Sequence, residues 1–460
     1  MLTVTIPTPL VGDDVPVPCL DGVERRYVNL DAAASTGALG AVRDRVHEFL
    51  PWYSSVHRGA GYKSQRATAA YEAARAACLS FAGREGRDDV AIICRNTTEA
   101  INHLAFRLGL RAEDVVATTV IEHHANLLPW RRVATCRYVE CGREGTFELA
   151  DVVAVLDADP RPRLLALSGA SNVTGWTPPL EEIIDAAHER GVAVLVDAAQ
   201  LAPHRPLPRD ADYVVWSGHK MYAPFGAGVL IGPRRTFAEG DPFLAGGGAV
   251  DLVSLEEVIW SAPPEREEAG SPNLVGAVAL HAALDALGDI GWEALVAHDL
   301  AVAHALRTGL ARIPGVRVLG PDLDTATLPV ATFTLEGVPF ALLAARLSLE
   351  YAIGVRHGCF CAHPYLTRLL GFGPDEHARL RADLRRGDRS TMPGAVRASG
   401  AVNTTPADVE ALLVAVREIA EGREPPVAYH QDPATGDYYP DAAAHWSIGE
   451  TTRAAGCAPG

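Results

Sequence analysis

From about residue 89 onward, short β-branched runs alternate with segments whose apolar residues recur at helical spacing. Val90–Cys94, Val115–Val120, Leu164–Ser168, Val192–Val196 and Tyr213–Trp216 read as strands covered on both faces. Glu99–Leu108 and Leu180–Arg190 read as helices between them. Strands alternating with helices predict an α/β fold built on a doubly wound, mostly parallel sheet. In such sheets ligands sit beyond the carboxyl ends of the strands. Nearly every polar cluster in this part of the chain follows a predicted strand.

Residues 274–313 are helical in pattern and alanine-rich, and read as a long connector into a second unit. Residues 314–422 read as a smaller α+β unit. The expected organisation is a large domain over 20–295, a small domain made of 1–19 and 296–423, and an irregular extension over 424–460. The pattern breaks down after Glu424, and over Gln431–Gly460 proline, glycine, acids and isolated aromatics mix without periodicity. No internal repeat is present.

The formal charge of −16, from 41 basic and 57 acidic residues, argues against nucleic acid or an anionic membrane as partner. No run approaches the roughly twenty apolar residues that span a bilayer. Met1–Pro18 lacks a basic start followed by an apolar run, so no secretory signal is expected. The eight cysteines are scattered and form no disulfide framework, which fits a reducing cytoplasm.

The segment from Val192 to Gly228 is the most informative. Asp197 closes one predicted strand, and the next delivers Ser217, Gly218, His219 and Lys220. A pyridoxal cofactor needs a lysine amine for its aldehyde and a carboxylate to keep its pyridine nitrogen protonated. Asp197 and Lys220 could supply both. On residue chemistry alone, a solvated surface lysine is an equal alternative. Asn96-Thr97-Thr98-Glu99 reads as a capped helix start, which is also a phosphate-binding geometry.

Taken in order, NLDAAAST, VHRGAGYKSQRATAAYEAAR, NTTEAIN, EHHANLLPW, SNVTGW, VDAAQ, SGHK, EAGSPN, RHGCFCAHP and VRASGAVNT, between about Tyr27 and Val416, resemble blocks of the class V aminotransferase superfamily. The stretch is most similar to group II cysteine desulfurases and selenocysteine lyases. The resemblance implies the aspartate aminotransferase-like fold (fold type I), a homodimer, and pyridoxal 5'-phosphate held by Lys220. It assigns the phosphate to Thr97, Thr98, Ser217 and His219, with Ser271 reaching in from a partner subunit. It places His123 on the pyridine ring, Asp197 at its nitrogen, and Asn172 and Gln200 at its phenolic oxygen.

By the same resemblance, Arg397 grips the α-carboxylate of an amino-acid substrate, a task suited to a planar bidentate fork. Arg356 is a second arginine facing the substrate, and Cys361 is the nucleophile that takes its sulfur as a persulfide for an acceptor protein. The family's RxGHHCAxP pattern is altered here, with Cys359 and Phe360 replacing two histidines. Were this segment extended, His357, Cys359, Cys361 and His363 would share one face. That pattern admits a metal site or a redox pair of thiols beside the nucleophile reading. His57 and Arg58 resemble a loop near the site. The expected activity is cleavage of the C–S bond of cysteine or an analogue. Its rivals are β-elimination from a cysteine conjugate, epimerisation or transamination on the same cofactor, and a non-catalytic sulfur-carrier scaffold.

Overall fold

The computed structural model describes residues 8–57 and 59–441. Seven strands build the central sheet: β1 (Asp89–Cys94), β2 (Val115–Thr119), β3 (Thr135–Val139), β4 (Leu164–Ser168), β5 (Ala193–Asp197), β6 (Tyr213–Ser217) and β7 (Gly228–Pro233). They lie side by side in the order β1-β7-β6-β5-β4-β2-β3. Neighbours are parallel except at β7, which runs antiparallel to both β1 and β6.

Alternate residues of each strand enter different cores. Leu165, Leu167, Val194 and Val196 pack in one cluster, while Leu164, Ala166 and Leu195 pack in another with the apolar face of α1 (Thr97–Arg107). Burial on both faces explains why the strands appear as continuous apolar runs. Helix α2 (Leu180–His188) presents Leu180, Ile183, Ile184 and Ala187 to the opposite core.

The predicted connector is two helices, α3 (Leu274–Ile290) and α4 (Trp292–Ala311), bent by 85° at Gly291. Gly291 adopts φ +81°, where a side chain would be strained. No single helix among the described residues is long and apolar enough to cross a membrane.

The smaller unit is a four-stranded antiparallel sheet in the order β8 (Val316–Leu319), β9 (Val330–Leu335), β11 (Ala395–Ser399), β10 (Arg356–Gly358). Leu306 of α4, Leu343 and Leu347 of α5 (Phe340–Tyr351), and Leu412 and Val416 of α7 (Pro406–Ala420) fill its core. Between α5 and α7 in the chain, α6 (His363–Leu370) follows β10. Val28 and Leu30 belong to this core as well.

The expectation of an irregular segment after Glu424 is corrected. Residues 429–440 form an ordered antiparallel hairpin, β12 (Tyr429–Gln431) and β13 (Tyr438–Pro440). Its strands are short and polar and are held by turn and side-chain hydrogen bonds, so no hydrophobic alternation announces them. The remainder of that extension, 442–460, lies outside the described residues.

Candidate active site

β1, β2, β4, β5 and β6 all end at one edge of the sheet, and the predicted residues gather there. Thr97, Thr98, His123, Asn172, Asp197, Gln200, Ser217, His219, Lys220, Arg356, Cys361 and Arg397 all line one cleft of about 660 Å³. Ser271 and His57 do not. They line a separate cavity of about 210 Å³ with Tyr53 and Glu265. Arg58 lies outside the described residues.

The first turn of α1 forms an anion cradle. Asn96 caps it by accepting from Glu99 N–H at 3.0 Å. Thr97 N–H donates to Ser217 Oγ at 2.8 Å, and the Thr97 and Ser217 hydroxyls lie 2.7 Å apart. Thr98 is exposed to the cleft with its amide at the positive end of the helix. The approach of β7 is what brings these groups together. A Cβ on Gly228 would sit 2.6 Å from Asn96 Cα, so only glycine fits.

Lys220 is half-buried in the cleft lining and has no ion pair or hydrogen bond among the described residues. Burial pulls its pKa down to about 8, against the nearby carboxylate of Asp197, which favours the charged form. Among the described residues the buried Asp197 carboxylate accepts from Ala199 N–H alone, at 3.0 Å. Desolvation raises its pKa, opposed by that bond and by Lys220. His123 Nδ1 accepts from Ala125 N–H at 3.1 Å, which leaves the ring proton on Nε2. Burial first, then the Lys220 charge, brings its pKa down to about 3, so the ring stays neutral.

Glu122, which the sequence reading passed over, fixes this loop. Its buried carboxylate accepts from Thr119 Oγ1, Asn126 Nδ2, Ser168 N and Ser168 Oγ at 2.6–3.0 Å. Asn172 Nδ2 donates to Phe360 O and Gln200 Nε2 to Ala33 O, each at 2.7 Å. One N–H and the carbonyl oxygen of each amide remain available.

Buried Arg397 donates through Nη1 to Asn172 O at 2.8 Å and through Nη2 to Asp31 Oδ1 at 3.1 Å. Its Nε has no partner among the described residues. Arg356 Nε lies 3.2 Å from Asp31 Oδ2, so one carboxylate bridges both arginines. Asp31 is a second residue missed from sequence. A contact spanning 366 positions leaves no local signal.

The segment around Cys361 is not extended. Phe360 and Cys361 both adopt positive φ, 55° and 54°, inside a turn closed by Ala362 N–H to Cys359 O at 2.9 Å. The alternation that would put four side chains on one face is therefore broken. His357 approaches Asp437 at 3.6 Å, and His363 stacks on His124 at 5.1 Å. Among the described residues no group of three or more His, Cys, Asp or Glu side chains is arranged to hold a metal. Cys361 is exposed, whereas burial raises the pKa of Cys359.

Residues 28–412 match the family model described as aminotransferase class-V. A "Probable cysteine desulfurase" of Halobacterium salinarum is 35% identical over 403 residues, covering 85% of this chain and 91% of the relative. Among solved structures, an apo cysteine desulfurase from Thermococcus onnurineus is similar at a TM-score of 0.77 and 30% identity, covering 86% of this chain and 95% of that one. The cysteine desulfurase CsdA (S-sulfonic acid) from Escherichia coli follows at 0.72 and 32%, with the same coverage. The fold, the convergence of the motifs on one cleft and these matches agree: the chain belongs to the class V aminotransferase family.

Proposed function

We propose that the protein is a pyridoxal-phosphate-dependent cysteine desulfurase. The observation that carries this reading is the convergence of an unpaired lysine amine, a buried carboxylate, a helix-start anion cradle, a buried arginine and an exposed thiol on one cleft. These groups fit the cofactor. Thr97, Thr98, Ser217 and His219 would hold its phosphate, His123 its ring face, Asp197 its pyridine nitrogen, Asn172 and Gln200 its phenolic oxygen, and Lys220 its aldehyde carbon. Bound there, the cofactor supplies an electron sink for the carbanion formed at the substrate Cα.

This chain's own residues do the rest. Arg397 takes the α-carboxylate of cysteine, releasing Asp31, and Arg356 adds a second positive charge. Neutral His123 offers its Nε2 proton without competing for the phosphate. Lys220, an amine of lowered basicity, carries protons at Cα. The Cys361 thiolate attacks the substrate sulfur. The C–S bond breaks with its electron pair left on Cβ, which takes up a proton on the way to alanine, and Cys361 retains the sulfur as a persulfide for an acceptor.

We further propose a homodimer. The hairpin Val250–Val253 and Val258–Trp260 exposes Leu252, Val253, Leu255, Val258 and Ile259, an apolar surface suited to a second copy. Ser271 would then serve the partner's phosphate site. A reducing compartment such as the cytoplasm fits the seven free cysteines among the described residues.

Product analysis tests the reading. The pure protein with L-cysteine should give alanine and enzyme-bound sulfur in equal amounts. Cys361→Ala should lose at least a hundredfold of that rate while keeping the cofactor, an order of magnitude typical of removing a covalent nucleophile. Pyruvate and ammonia in place of alanine would identify a β-eliminating lyase and overturn the proposal.

A further inference from the structure

The β12–β13 hairpin lies beyond residue 412, where the family match ends, yet it walls the cleft with Gln431, Asp437 and Tyr438. It is fixed in place. Arg389 N–H donates to Pro433 O and Arg389 Nη1 to Ala434 O, each at 2.8 Å. Gln431 Nε2 donates to Ser390 O at 3.2 Å and to Gly436 O at 3.0 Å. Gly436 adopts φ +84°, and a Cβ there would lie 2.8 Å from Arg389 O. The wall stands next to β10, the strand that leads into the nucleophile's turn, because Asp437 Oδ1 lies 3.6 Å from His357 Nε2.

The charges on this wall have no role in holding one molecule of cysteine. A bound amino acid has one carboxylate and one amino group, and the inner end of the cleft serves both. The outer wall adds Arg389, which has no carboxylate partner among the described residues, together with the Asp437 carboxylate and the Tyr438 hydroxyl. A cation and an anion lining the same cleft suit a second zwitterion. Cys361 is also held at the backbone. Its carbonyl accepts from His124 N–H at 2.7 Å, and that of Phe360 accepts from Asn172 Nδ2 at 2.7 Å. With its backbone tied inside the cleft, the thiol meets an acceptor that comes to it.

We propose that the outer wall, formed by β12–β13 and Arg389, binds a small amino-acid thiol that accepts the sulfur from Cys361. The ligand class carries an ammonium, a carboxylate and a thiol, free cysteine being the simplest. The inference rests on the desulfurase reading. The acceptor thiolate attacks the outer sulfur of the Cys361 persulfide. The Cys361 S–S bond breaks and its electron pair returns to Sγ, while the proton given up by the acceptor thiol balances the thiolate released. The acceptor leaves as its own persulfide, with no net oxidation or reduction.

The test uses the full-length holoenzyme with homocysteine as a zwitterionic acceptor and 2-mercaptoethanol as an uncharged one. Asp437→Asn and Arg389→Gln should each raise KM for homocysteine roughly tenfold, the size expected for loss of a charged hydrogen-bond partner. KM for 2-mercaptoethanol should stay unchanged, as should alanine formed in a single turnover with enzyme in excess. Tyr438→Phe, which removes one hydroxyl, should act in the same direction with a smaller effect. Equal KM values for homocysteine in wild type and all three variants would overturn the acceptor subsite while leaving the desulfurase reading intact. Turnover that requires an added protein would do the same. Failure of the wild type to form alanine in a single turnover would instead remove the desulfurase reading, and this inference with it.

Discussion

At the scale of single residues, the decisive group is Lys220. An exposed lysine has a pKa near 10.4, whereas desolvation lowers this one to about 8. The direction has a kinetic consequence. Only the neutral amine attacks an aldehyde, and its fraction grows as pH rises through the folded pKa. Capture of added cofactor by the apoenzyme, followed by its absorbance change, should therefore accelerate from pH 6 to about 8 and then level off. Asp197→Asn removes the charge that most favours the ammonium form, so its midpoint should move to lower pH. A rate still climbing steadily at pH 10 would mean that the amine is not desolvated as the cleft implies.

At the scale of elements, the site depends on how closely β7 lies against the start of α1. Gly228→Ala would place its Cβ 2.6 Å from Asn96 Cα, and backbone is the atom least able to yield. The substitution should cost about 1–3 kcal/mol of stability, as overpacking does. It should also weaken cofactor binding, because Asn96, Thr97 and Ser217 move together; thermal melting with and without cofactor separates the two effects. The same elements explain what the sequence could disclose. β1, β2, β4, β5 and β6 were legible because both of their faces are buried, and Asp197, Lys220 and His123, which follow their ends, line one cleft. β7 is not among the strands the pattern predicts, although residues 228–232 are buried, because its glycines and closing proline weaken the strand pattern. β12 and β13 were illegible because YHQ and YYP carry no apolar face. Asp31 and Glu122 act through contacts that exist only once distant strands are side by side. The turn at Cys359–Ala362 escaped for another reason. Positive φ at phenylalanine and cysteine contradicts local preference and is imposed by tertiary hydrogen bonds.

At the scale of the whole molecule, the placement of Ser271 in a cavity separate from Lys220 poses a sharper question than the dimer alone. If Ser271 serves a partner's phosphate, each complete site takes its lysine from one chain and its serine from the other. Ser271→Ala should then weaken cofactor binding roughly tenfold, as loss of a hydrogen bond to a charged group does, and Lys220→Ala should abolish covalent attachment. A dimer assembled from one chain of each variant contains one site with both residues intact and one with neither. Mixing the two variants under exchanging conditions should therefore restore tight binding in one site per mixed dimer, measured by cofactor titration. Leu255 is 100% exposed on the apolar hairpin, and Leu255→Asp should prevent that rescue by opposing association, with light scattering reporting a halved mass. Weak binding that persists in the mixed dimer would assign Ser271 to its own chain, and an unchanged mass for Leu255→Asp would place the contact surface elsewhere.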